Sequence, residues 1–209
     1  MPYIGRILGL TGPSGVGKGF VKDHIKEICP GITELTVATT RGKRPADGID
    51  RDAGIPVGVF LERVNGGTIV FAHQPFGPTN HWYGFYQEQI EKLLDEGKLT
   101  MTEIHVDNVE PFKERYGHHV SVIGLVSEIN YLRRNIEHRS TEEEEEQRLR
   151  LTAALREMEL IRRLKEKGLV DSVLEVDERN RDVIADLVTE KLAELGIGEL
   201  IGFRKSPEK

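Results

Sequence analysis

The segment Gly12-Pro13-Ser14-Gly15-Val16-Gly17-Lys18 carries the spacing of a phosphate-binding loop: a glycine, four residues, then glycine and lysine. Glycines let the backbone wrap so that several N–H groups converge on phosphate oxygens, and the dipole of a following helix adds to the attraction. A lysine at the end of such a loop reaches the β- and γ-phosphates, where charge builds up as a phosphoryl group leaves. Gly12, Pro13, Ser14, Gly15, Val16, Gly17, Lys18, Gly19 and Phe20 are therefore the candidate ATP-binding residues, and Lys18 is the first candidate catalytic residue. The competing reading of the same glycines is an ordinary tight turn between a strand and a helix. One position departs from the full pattern. A Ser or Thr after the lysine would ligate Mg²⁺, and here Gly19 and Phe20 follow Lys18. Mg²⁺ bound with ATP is then expected to be held by phosphates, waters and a carboxylate elsewhere in the chain.

The elements around the loop decide between the two readings. Tyr3 to Leu10 is a short, mostly apolar run that reads as a buried strand, and Lys18 to Ile28 carries Phe20, Val21, Ile25 and Ile28 at helical spacing up to Pro30-Gly31. Strand, glycine-rich turn and helix in that order is the context a phosphate loop requires. Ile32 to Ala38 reads as a second strand, followed by a long polar loop from Thr39 to Gly58 that carries Arg41, Lys43, Arg44 and Arg51. Further strands are expected at Thr68–His73, His81–Phe85, Leu99–His105, His119–Leu125 and Ser172–Val176. Helices are expected at Gln87–Leu94, Val109–Tyr116 and Asp182–Leu195, with a charged helical stretch from Glu128 onward. Within that stretch Thr141 and Glu144 form a capping-box pattern, and Glu144–Arg148 and Glu146–Arg150 stand four apart. Strands alternating with helices imply an α/β fold built on a mostly parallel sheet.

Bulk properties narrow the class. The chain has 209 residues, 38% apolar and 31% charged, which suits a globular protein with a substantial core. Its formal net charge of −6 argues against a general nucleic-acid binder. Cys29 is the single cysteine, so no internal disulfide and no cysteine metal site can form. No stretch of 18 apolar residues and no secretory leader pattern is present, so the expected location is cytoplasmic, with no membrane partner. The expected state is a monomer or homodimer.

The loop, taken with Thr39-Thr40-Arg41-Gly42-Lys43-Arg44, resembles the guanylate kinase family, which shows Gly-Pro-Ser-Gly-x-Gly-Lys and then Thr-Thr-Arg-x-x-Arg at this distance. Tyr83-Gly84, Arg139-Ser140-Thr141-Glu142 and Arg150 extend the likeness over about residues 5 to 195. The resemblance implies a single P-loop NTPase domain over residues 1–209. Its core would comprise 1–38, 98–127 and 168–195, with an acceptor-binding insertion at 39–97, a helical lid at 128–167 and a frayed tail at 202–209. It also implies that Arg41, Arg44 and Tyr83 hold the acceptor's phosphate, a task suited to the bidentate fork of arginine. Arg139 and Arg150 would close over the donor phosphates and stabilise charge in the transition state. The bland alternative for these arginines is a solvated, salt-bridged surface. Where the family often carries another lid arginine this chain has Asn135, with Arg134 beside it.

The polar residues with which that family reads its base are replaced. A Ser before Thr-Thr-Arg is Ala38, a Ser after Tyr-Gly is Phe85, and a Glu on the preceding strand falls near Val70 and Phe71. An expected Tyr has no counterpart around Val57 and Val59, and the family's Asp-x-Asp strand end corresponds to Glu103-Ile104-His105. Glu103 is the candidate carboxylate for metal or for acceptor activation, against a solvent-facing strand end. His105 is a candidate acceptor contact, against a structural histidine. Losing matched polar contacts destroys selectivity for the ligand that needs them. The expected activity is ATP-dependent phosphoryl transfer to a nucleoside monophosphate other than GMP. A kinase of a non-nucleotide sugar phosphate and a non-catalytic binding module of the same family are the alternatives.

Overall fold

The computed structural model describes residues 3–43, 50–75, 81–139, 144–177 and 181–197. Nine strands and seven α-helices are formed among them. The larger sheet has five parallel strands in the order β2-β7-β1-β8-β9, flanked by helices. These are β1 (Arg6–Thr11), β2 (Thr33–Glu34), β7 (Leu99–Glu103), β8 (Val120–Val126) and β9 (Ser172–Glu175). β8 is buried at every residue and β1 at all but its first, the signature of parallel strands covered on both faces. The chain divides into two compact units, Met1–Gly9 with Thr33–Val120, and Leu10–Ile32 with Ser121–Lys209.

In the second unit α1 (Lys18–Ile28) starts at the end of the glycine loop and buries Val21 and Ile25. α5 (Ile129–Arg139) and the 23-residue α6 (Glu144–Glu166) follow β8, and α7 (Arg181–Glu194) closes the unit. A Cβ on Gly124 of β8 would lie 2.6 Å from Ile161 Cγ2, so only glycine lets α6 pack this closely on the strand. Asp171 fixes the start of β9 by accepting from the Val122 N–H at 2.6 Å. Thr141, the expected helix cap, lies outside the described residues, as do the side chains of Glu144 and Glu146.

In the first unit a second, four-stranded sheet runs β4-β3-β6-β5, with β3 (Val37–Thr39), β4 (Arg51–Ala53), β5 (Ile69–His73) and β6 (Tyr83–Tyr86). β3 pairs parallel with β4 and antiparallel with β6, and β5 pairs antiparallel with β6. Ala38, Ile55, Phe60 and Ile69 form its core, with Trp82 and Tyr86 packed alongside. Phe60 comes from α2 (Val57–Asn65), while α3 (Gln87–Asp95) and α4 (Val109–Tyr116) complete the unit. Tyr86 OH donates to Asp52, and Arg63 Nη1 donates to Tyr86 OH at 3.0 Å, so one hydroxyl braces β4, α2 and β6.

Two expectations are corrected. The single strand expected over Ile32–Ala38 is two strands in two different sheets, with β2 ending at Glu34 and β3 beginning at Val37. The stretch expected as loop to Gly58 contains β4 and the first two residues of α2. Val57, Val59 and Leu61 of that helix are exposed, which hides the amphipathic pattern that would have announced it. No helix among the described residues is long and apolar enough to cross a membrane.

Candidate active site

The glycine loop follows β1 directly. A Cβ on Gly12 would lie 2.7 Å from the Leu125 carbonyl oxygen, so the loop can leave the sheet here only without a side chain. Gly15 and Gly17 hold φ values of +84° and +105°, a region that L side chains rarely adopt. Val16 between them is fully buried and anchors the turn. The Gly15–Val16 peptide is held at both edges. Val16 N–H donates to Pro13 O at 3.3 Å, and Gly15 O accepts from Asn135 Nδ2 at 2.9 Å. Lys18 opens α1 and turns back over the loop, donating from Nζ to Gly12 O at 2.6 Å and to Pro13 O at 3.0 Å. An ammonium held there stands where a glycine loop runs into the N-terminus of α1, a setting suited to phosphate.

Gly19 is exposed, and a Cβ built on it meets nothing within 4 Å. There is room for a hydroxyl but no oxygen to ligate a cation. Among the described residues no cluster of three or more His, Cys, Asp or Glu could hold a metal. Arg150 is half-buried on α6, Arg139 is described only as the last residue of α5, and Arg134 is exposed.

The residues expected to contact the acceptor lie in the first unit. The two threonines before Arg41 orient its backbone: Thr39 Oγ1 donates to Trp82 O at 2.8 Å and accepts from Arg41 N at 3.1 Å. Thr40 Oγ1 accepts from Trp82 N at 3.0 Å. Arg41 is 8% exposed and donates from Nη1 to Gly42 O at 3.1 Å. Arg44 lies outside the described residues. Tyr83 opens β6, Glu103 ends β7, and His105 follows it, all three half-buried.

Sequence reasoning passed over two residues in this region. His73, at the end of β5, stacks on Tyr83 with ring centroids 5.8 Å apart and on His105 at 4.7 Å. Asn108 donates from Nδ2 to Phe71 O at 2.7 Å and lies 3.0 Å from His73 Nδ1. Burial pushes the His73 imidazole below its ordinary value, only partly offset by the Phe71 carbonyl. A lone histidine ending a strand and an asparagine in a turn carry no spacing signal, because what relates them is the tertiary fold.

The chain matches no family model. It is 33% identical to a guanylate kinase of Lactobacillus acidophilus over 156 residues, covering 74% of this chain and 75% of that protein. It is 30% identical to a guanylate kinase of Helicobacter pylori over 165 residues, 74% of each chain. The chain belongs to the guanylate kinase family. The crystal structure of guanylate kinase from Anaplasma phagocytophilum has the same fold, with a TM-score of 0.64 at 22% identity over 93% of this chain and 87% of that one. A gluconokinase from Sinorhizobium meliloti shares the general architecture, with a TM-score of 0.53 at 13% identity over 98% of this chain and all of that one. Family membership makes the chain a P-loop nucleotide kinase, a phosphotransferase acting on a nucleoside monophosphate with ATP.

Proposed function

We propose that this kinase transfers the γ-phosphoryl group of ATP to a nucleoside monophosphate other than GMP. The observation that carries this reading is the contrast between the kept phosphate residues and the rewritten positions around them. Ala38 and Phe85, which stand where the resemblance implies serines, are 0% and 1% exposed within the small sheet. Phe71, near the expected glutamate, stacks on Phe112 with ring centroids 3.9 Å apart. These side chains offer no hydrogen bond to a base, and a site without partners for a polar edge does not select it.

In this reading the loop from Gly12 to Phe20 cradles the ATP phosphates and Lys18 follows the charge onto the β–γ bridge as transfer proceeds. Arg139 and Arg150 add positive charge over the donor phosphates. Arg41, Arg44 and Tyr83 grip the acceptor's phosphate, with Glu103 and His105 beside it. Mg²⁺ bound with ATP would neutralise phosphate charge. The loop gives it no side-chain ligand at Gly19 or Phe20, so phosphates and waters would hold it, with Glu103 as the proposed carboxylate.

Screening ATP consumption against the common ribo- and deoxyribonucleoside monophosphates and sugar phosphates tests the proposal. Turnover with a nucleoside monophosphate is the expected result. Turnover with a sugar phosphate alone would move the acceptor to that class, and ATP hydrolysis unaffected by any acceptor would overturn the reading.

A further inference from the structure

The pairing of β3 with β6 reaches its last register step at Thr39 opposite Tyr83. Two threonine hydroxyls carry it one residue further. Thr40 N–H donates to Trp82 O at 3.1 Å, as in an ordinary antiparallel pair. In return Trp82 N–H donates to the Thr40 hydroxyl, Oγ1, at 3.0 Å, where a regular ladder would use the carbonyl.

Thr39 Oγ1 then joins two peptides from different strands. It accepts from Arg41 N–H at 3.1 Å and donates to Trp82 O at 2.8 Å. The proton positions are forced, because a backbone N–H only donates and a carbonyl oxygen only accepts. One of these peptides leads into Arg41 and the other leads into Tyr83. Gly54 N–H holds Arg41 from its far side, donating to Arg41 O at 2.8 Å. Thr39 is fully buried, so water does not compete for its bonds, and its branched side chain has little freedom at χ1.

We infer that Thr39 and Thr40 are positioning residues of the acceptor site, their hydroxyls fixing the Arg41 and Tyr83 backbones relative to each other before a phosphate arrives. This rests on the reading that Arg41 and Tyr83 grip the acceptor's phosphate. Ordering two ligands in advance spares binding the entropy of ordering them later. The device serves the phosphate, which every nucleoside monophosphate carries, and so its effect is independent of the base.

Steady-state kinetics of the whole chain, with ATP as donor and AMP, CMP, GMP, UMP and dTMP each as acceptor, tests this. Thr39→Val keeps the branched shape and removes the hydroxyl. It is expected to raise KM about fivefold for every monophosphate that turns over, with a smaller change in kcat and an unchanged KM for ATP. Thr39→Ser keeps the hydroxyl and is expected to stay within about twofold of wild type. A merely structural threonine would act independently of Arg41. Here Arg41→Ala is expected to raise KM by itself and to leave Thr39→Val less than about twofold to add in the double variant. A wild-type KM in Thr39→Val, or its full effect repeated on top of Arg41→Ala, would overturn the inference and leave the kinase reading standing. A wild-type KM in Arg41→Ala, or no turnover with any of the five monophosphates, would remove the phosphate-grip reading and the inference with it. If Thr39→Val fails to fold, Thr40→Val decides: a raised monophosphate KM supports the positioning role, and a wild-type KM overturns it.

Discussion

Asn135 Nδ2 donates to the carbonyl oxygen of Gly15 at 2.9 Å, tying α5 to the apex of the phosphate loop. The contact is close all round: a Cβ on Gly15 would lie 3.3 Å from Ile136 Cγ1 and 3.5 Å from Asn135 Cβ. The position where the family often carries an arginine thus holds the loop itself.

Removing that tether is expected to loosen the Gly15–Val16 peptide. Asn135→Ala should weaken ATP binding roughly fivefold, matching one net hydrogen bond of about 1 kcal/mol. Asn135→Asp, which sets a carboxylate against the Gly15 carbonyl, should weaken it more. Calorimetric titration with ATP in the absence of acceptor checks both, and equal affinities in all three proteins would show that the loop holds its shape unaided.

The glycines of the loop are not equivalent. Gly12→Ala drives a Cβ against the Leu125 backbone and should lower Tm by roughly 6 °C or more, the shift for about 2 kcal/mol. Gly19→Ser meets open space and should move Tm by less than about 2 °C. The same serine should lower the Mg²⁺ concentration needed for half-maximal activity, because it adds the oxygen that the loop lacks. Thermal melts and a Mg²⁺ titration separate the two effects.

Tyr86 links Asp52 and Arg63, and burial first, then the bond to Asp52, pushes its hydroxyl up to about 12 from an ordinary 10.0. A folded-state value above the unfolded one means the protonated group stabilises the fold fully below pH 10, and that contribution is lost as pH rises toward 12. Tyr86→Phe should therefore be less stable than wild type at pH 8, by about 1 kcal/mol, and the gap should shrink between pH 10 and 12. Tyr116, raised to about 12 by its own burial, is present in both proteins and cancels in the comparison. Denaturant unfolding at several pH values measures the difference, and a gap that persists unchanged at pH 12 would contradict it.

The phosphate residues divide the kinetics between donor and acceptor. Lys18→Ala should abolish transfer, while Arg41→Ala should chiefly raise the acceptor's KM. Steady-state kinetics with each substrate varied in turn checks this, and a Lys18→Ala enzyme with wild-type rates would exclude the loop from the chemistry.

How much of this was legible in the sequence depended on whether local pattern or tertiary context fixed each residue. α1 runs from Lys18 to Ile28 as its apolar spacing and the flanking Gly17 and Pro30 indicate, and α4 spans Val109–Tyr116 as read. The exposed apolar side chains of α2 broke the period that would have marked it. Nothing in Leu35-Thr36 announces a change of sheet, because strand pairing is long-range: Leu35 N–H bonds to Met101 O in one sheet, and Val37 N–H to Asp50 O in the other. The loop glycines and the Thr-Thr-Arg segment were visible because spacing carries their chemistry. His73 and Asn108 were not, nor was the bond from Asn135 to Gly15, since these contacts join residues more than 30 positions apart.

The most direct test of the central claim is a comparison of kcat/KM for GMP with that of the best nucleoside monophosphate from the acceptor screen, at saturating ATP and Mg²⁺. The proposed acceptor, a nucleoside monophosphate other than GMP, should be favoured by at least about tenfold, the discrimination of one polar contact. GMP emerging as the preferred acceptor would contradict the account.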